Sequence, residues 1–173
     1  VSGGRFNNSG EILFGYGGAG AGTLTVTNSG AVNAHFLRLG NNAAATVNLD
    51  GGTVTANRIF SHNGQGTFNF NGGTLRPGAS FTTPWFESGV AGTFVKNGGA
   101  VIDTAGRSVT LQPWFRAAAG STGGLTKLGL GTLTLAGASN TYAGPTTIAG
   151  GALVIDGRST GTGLVTVQSG ATL

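Results

Sequence analysis

Thr46-Val47-Asn48-Leu49-Asp50-Gly51-Gly52-Thr53-Val54-Thr55-Ala56, preceded by Leu37-Arg38-Leu39-Gly40-Asn41-Asn42, sets the architecture of this chain. Val47 and Leu49 alternate with polar Thr46 and Asn48, the period of two that marks a half-buried strand. Gly51-Gly52 then supplies a corner, and Thr53-Val54 begins another extended piece. The same corner, two small residues followed by Thr or Ala and an aliphatic residue, returns along the chain. It reads Ser29-Gly30-Ala31-Val32, Gly72-Gly73-Thr74-Leu75, Gly98-Gly99-Ala100-Val101, Gly150-Gly151-Ala152-Leu153 and Ser169-Gly170-Ala171-Thr172-Leu173. Gly30, Gly52, Gly73 and Gly99 lie 22, 21 and 26 residues apart. A period in the twenties with short strands around a glycine corner is the mark of a stacked solenoid.

Leu24/Val26, Phe68/Phe70 and Val165/Val167 repeat the alternation, and no stretch shows a sustained 3.6-residue period with caps. The expected fold is all-β: a parallel β-helix of three short strands per coil of about 21–26 residues, with no significant helix. Each strand pairs with its counterpart about 4.8 Å above and below, so about seven coils make a rod on the order of 35 Å. A composition change near Ala117–Gly124 divides the chain. Residues 1–120 hold all 10 Phe and both Trp, and 121–173 build their core from Leu, Val and Ile in coils continuous with the first part. Neither end carries a polar cap or an amphipathic helix. The coils are therefore expected to continue, into flanking coils or onto copies of the same chain.

Composition narrows the function. The chain of 173 residues has 35 Gly, 8% charged residues, no Cys and 39% hydrophobic residues, so Thr, Ser and Asn must supply the polar surface. That balance suits an exported β-protein. The net charge of +4 comes from bases scattered singly rather than clustered with aromatics, which argues against nucleic acid. No window of about 18 apolar residues offers a membrane-spanning helix. No basic-then-apolar leader is present, so a signal peptide is expected outside the segment.

Chemistry-bearing groups are few. Glu11, Asp50, Glu87, Asp103 and Asp156 are the five acids, and nothing in their spacing marks the carboxylate pair that glycoside hydrolysis needs. Val101-Ile102-Asp103 followed by Arg107 recurs as Val154-Ile155-Asp156 followed by Arg158, which suggests ion pairs across coil corners. Pro84-Trp85-Phe86-Glu87 recurs as Pro113-Trp114-Phe115-Arg116. If the copies occupy adjacent coils, Trp85 lies near Trp114 and Glu87 near Arg116, as a packing ladder or as a platform for sugar rings. Asp50, Asn71 and Asn97 precede successive glycine corners and are expected to form a polar ladder. His35 and His62 have no ligand-type neighbours in sequence, so neither metal nor cofactor is expected. Gly15–Gly20 reads as a turn, since no helix follows to bind phosphate.

Thr126-Lys127-Leu128-Gly129-Leu130-Gly131-Thr132-Leu133-Thr134-Leu135-Ala136-Gly137, then Asn140-Thr141-Tyr142-Ala143-Gly144-Pro145-Thr146, then Gly150-Gly151-Ala152-Leu153, closely resembles the passenger-associated repeat of bacterial autotransporters. The resemblance covers about residues 125–156, and residues 11–104 look more loosely like coils of the same kind. It implies a right-handed β-helix on a bacterial surface, exported through an outer-membrane translocator, and it supplies no catalytic residue. The expected function is therefore structural and non-enzymatic: an extracellular rod, stalk or self-stacking fibre. The alternatives are an adhesin binding surface glycan through Trp85 and Trp114, and a carbohydrate-active β-helix enzyme.

Overall fold

The structure, a computed structural model, describes residues 1–17, 20–161 and 163–173. Gly18 and Ala19, in the middle of the glycine-rich turn expected at Gly15–Gly20, lie outside the described residues. The chain winds as a β-solenoid of about seven coils with three walls, and every pairing between its strands is parallel.

The first wall stacks 22–28, 45–49, Gly66–Phe70, Gly92–Val95, Phe115–Ala117, Ser139–Asn140 and Arg158–Ser159. The second stacks 5–8, 31–34, 53–56, Thr74–Pro77, Ala100–Asp103, Leu125–Leu128, Thr146–Ile148 and Val165–Val167. The third runs from 11–16 through 36–41 and 58–60, a single bridging residue, Phe86, then Val109–Leu111, Thr132–Leu135 and Ala152–Ile155. In the early coils the ladder carries on around the corners. Gly22–Asn41 and Ala45–Phe60 are each one continuous strand of 20 and 16 residues. Coil length is slightly more elastic than the repeat suggests, from 19 residues between Ile148 and Val167 to 27 between Leu75 and Ile102. Solenoids absorb such differences at their corners and leave the walls in register.

Register sets which residues share a column. On the first wall Val47, Phe68 and Phe115 line one inner column, and Val26, Leu49, Phe70 and Val95 the next; all are fully buried. Phe68 and Phe70 sit 4.6 Å apart by ring centroid, and Phe70 lies 5.3 Å from Phe115. On the third wall Leu37, Ile59, Phe86, Leu111 and Leu135 continue the same core. The corners require glycine for space as well as for backbone conformation. Gly52 has φ +65°, and a Cβ there would run into Gly30 O of the coil below. Gly151, φ +63°, stands in the same relation to Gly131 O. A side chain at either position meets backbone oxygen first, which cannot move aside as the end of a flexible side chain can.

The expected boundary near residue 120 falls within this continuous stack, since Ala100–Asp103 pairs directly with Leu125–Leu128. The expected edge ladder forms in part: Asn71 Nδ2 donates to Asp50 Oδ1 at 3.0 Å. Beyond it the pattern changes from side chain to backbone, with Gly98 N donating to Asn71 Oδ1 and Thr122 N to Asn97 Oδ1. A second ladder runs through Asn48 and Asn69, 2.8 Å apart. Among the described residues no helix is long and apolar enough to cross a membrane.

Candidate functional site

Two places concentrate polar chemistry: the interior around Lys127, and a groove beside Trp114. Lys127 lies in the inner column of the second wall, in register between Ile102 and Ile148, and is fully buried. Its Nζ donates to Thr104 Oγ1 at 3.2 Å, Leu128 O at 3.0 Å, Gly129 O at 2.7 Å and Gly150 O at 2.9 Å. These acceptors belong to three successive coils and sit where the second wall turns into the third. An ammonium group has three donors, so it can serve the Gly129 and Gly150 corner carbonyls while sharing Leu128 O with Thr104 N, which donates to it at 3.0 Å. Burial pushes Lys127 below the ordinary lysine value, and the charge of Asp103 pulls it partly back.

The rest of the same repeat also points inward. Asn140 is fully buried and accepts from Phe115 N at 3.0 Å, and Tyr142, 1% exposed, meets Thr146 Oγ1 through its hydroxyl at 2.7 Å. Asn140 joins its coil to the one before it, and Tyr142 braces the corner of its own coil. Residue type alone places Lys127 on the surface, and it does not announce an interior group. The parity of Leu125-Thr126-Lys127, which places lysine on the leucine side, was the signal that could have found it.

The groove is built by an irregularity. Residues 78–91 replace the third-wall strand with a bulging segment pinned at Phe86, and fully buried Trp85 anchors it by donating Nε1–H to Ala56 O at 2.8 Å. Where this segment returns to the first wall it faces the next corner. Ser88, Val90, Ala91, Gly92, Thr93, Gln112, Pro113, Trp114 and Arg116 line a cavity of about 290 Å³ between them. Gln112 Oε1 accepts from Ser88 N at 3.1 Å across the two loops. The Arg116 guanidinium stands 5.3 Å from the centroid of the Trp114 ring.

The two Trp-Phe segments are therefore not stacked copies. Phe86 pairs with Leu111 on the third wall, whereas Phe115 pairs with Thr93 on the first. Trp85 is core and Trp114 is 44% exposed, so the expected pair of sugar-facing tryptophans reduces to one. Glu87 pairs with Arg58 and not with Arg116; that hydrogen bond holds the Arg58 guanidinium above its ordinary pKa. The expected corner ion pairs also change partner. Asp103 bonds Arg76 of the preceding coil at 3.1 Å, while its other oxygen accepts from Ala105 N at 2.8 Å. Arg107 turns to its own loop, near Ala105 O at 3.5 Å. Asp156 and Arg158 form no ion pair among the described residues. The reason is geometric: stacked coils bring residues from neighbouring coils closer than residues across a tight turn.

His35 Nδ1 lies 2.7 Å from Asn57 Nδ2, and the described residues hold no group of three or more His, Cys, Asp or Glu positioned for a metal ion. Lys96 approaches Asp50 at 3.9 Å and Arg38 pairs with Glu11, so four of the five acids face a base.

The sequence profile of the passenger-associated-transport-repeat family matches residues 125–155, the stretch that contains Lys127, Asn140, Tyr142 and Gly151. Comparison with curated proteins finds no match, and neither does comparison with solved structures. Residues 125–155 thus match the passenger-associated-transport-repeat and run without interruption into the β-solenoid on either side.

Proposed function

We propose that this segment is a non-catalytic structural rod in an exported passenger on a bacterial surface, carried through the outer membrane by a translocator and presented outside the cell. The observation that carries the reading is the unbroken stack: inner columns run through every wall, and the polar interior groups of the repeat join coils to one another. The passenger-associated repeat supports export and surface display. The engagement of Glu11, Asp50, Glu87 and Asp103 by neighbouring bases supports a role without acid–base catalysis.

Coil number tests the rod. Residues 46–66 are one register-matched coil, because Ala45 pairs with Gly66 and Thr46 with Thr67. Three added copies are expected to lengthen the particle by about 14 Å in solution scattering, at ~4.8 Å per coil, with display on intact cells retained. A length that does not follow coil number, or cleavage of a saccharide by the purified segment, overturns the reading. Sedimentation across a range of concentrations separates a single stalk from a self-stacking fibre.

A further inference from the structure

We propose that the groove between residues 88–93 and 112–116 binds a pyranose carrying an anionic group, a carboxylate or a sulfate, of an extended glycan. The proposal is independent of the rod reading, which is judged by length and not by binding.

Four observations converge on it. First, the groove lies where the solenoid departs from its repeat. A mechanical rod has no need of the bulge at 78–91, and insertions in solenoids map to loops on a face that binds. Second, Trp114 presents a half-exposed indole at its rim and is held in place from the next coil. A Cβ at Gly137 would stand 2.6 Å from Pro113 O and 2.9 Å from Trp114 Cδ1, so glycine there lets the next coil lie close against the Pro113-Trp114 corner. A pyranose has an apolar C–H face that stacks on such a ring and hydroxyls that project sideways. Third, the polar groups fit that second requirement. Gln112 spends its Oε1 on Ser88 N and keeps its NH2 group as a donor in the groove lining. Fourth, the charge is of one sign. Arg116 forms no ion pair among the described residues, Glu87, which adjoins the groove at Ser88, is held by Arg58, and Asp103 is held by Arg76. A guanidinium beside an aromatic face suits a planar carboxylate or a sulfate. Single-stranded nucleic acid would also stack and attract cations, but it needs a track of bases along its path. Here Arg38, Arg58 and Arg76 are already engaged by acids.

The test is titration of the purified segment, by calorimetry and by tryptophan fluorescence, with an oligogalacturonate, a sulfated chondroitin hexasaccharide, neutral maltohexaose and an oligothymidylate. Saturable binding of either acidic saccharide with quenching of the exposed indole is expected; which one binds identifies the anion. Trp114→Ala is expected to weaken it at least ten-fold. Arg116→Gln, a surface change that leaves the core untouched, is expected to weaken it similarly and to erase the preference over maltohexaose. Arg158→Gln, exposed on the last strand of the first wall, should leave it unchanged. No saturable binding, equal binding of maltohexaose, tighter binding of oligothymidylate, or equal loss in Arg158→Gln overturns the proposal.

Discussion

Lys127 occupies a position that its column otherwise gives to Val32, Val54, Leu75, Ile102 and Ile148. An aliphatic side chain there would pack as well, but it would leave the Gly129 and Gly150 corner carbonyls, on two successive coils, without their lysine donor. Removing the partner of buried polar groups costs more than the bond itself contributes. Lys127→Ala is therefore expected to destabilise the segment by about 2–5 kcal/mol, combining a cavity with unpaired acceptors, as read from urea unfolding. Lys127→Met keeps the volume and should cost less. The lysine also predicts a pH effect. Its folded-state pKa is lowered from 10.5 by burial, so the charged form is penalised in the folded chain. That penalty is complete below the folded pKa. It is relieved as pH rises from there toward the ordinary lysine value, because the folded chain gives up the proton first. The stability difference between the wild type and Lys127→Met should move in favour of the wild type over that interval. A flat difference would show that the lysine titrates as if exposed.

At the scale of the element, strand pairing and core columns depend on the corners that separate them. Gly151 has both positive φ and a backbone oxygen where Cβ would stand, so Gly151→Ala is expected to cost about 1–3 kcal/mol, joining left-handed strain to a backbone shift. The first wall gives a second measure. Phe68 packs between Val47 and Thr93 and against Phe70 and Phe86, so Phe68→Ala should cost about 3–5 kcal/mol. An effect below about 1 kcal/mol by chemical denaturation would mean that this wall closes over the gap. The third wall is organised differently at the bulge. There the two bridges of Phe86, to Ile59 and Leu111, and the indole of Trp85 do the work of a whole strand, and the same local departure shapes the groove beside Trp114.

The whole molecule is held by neutral contacts. Its ion pairs, Arg38–Glu11, Arg58–Glu87, Arg76–Asp103 and Lys96–Asp50, lie on outer surfaces with side chains 22–45% exposed. Pairs in that setting contribute little and are screened by salt. Unfolding free energy is therefore expected to change by less than about 1 kcal/mol between roughly 0.05 M and 1 M sodium chloride. A larger loss, measured by urea unfolding at the two concentrations, would mean that the pairs and not the core columns hold the coils. Neighbouring coils touch only each other, so the rod is stabilised by repetition and lengthens without redesign.

Alternation at Val47/Leu49, glycine corners at a period in the twenties and the Lys127–Tyr142 run were enough to determine a three-walled parallel solenoid and its passenger-type repeat. Those features are local: strand parity, corner conformation and composition follow from residues a few positions apart. The sequence left undecided which side of Arg58–Ser61, Trp85–Glu87 and Trp114–Arg116 faces inward, because apolar neighbours erase the alternation. Only the tertiary structure decided that Ile59, Trp85, Phe86 and Phe115 are core while Trp114 and Arg116 face out. It also decided that Asp103 joins Arg76, that Glu87 joins Arg58, and that four corner acceptors converge on one buried ammonium. The physical reason is the same in each case. Contacts between coils depend on how many residues each intervening corner absorbs, and that offset is fixed only when the coils stack.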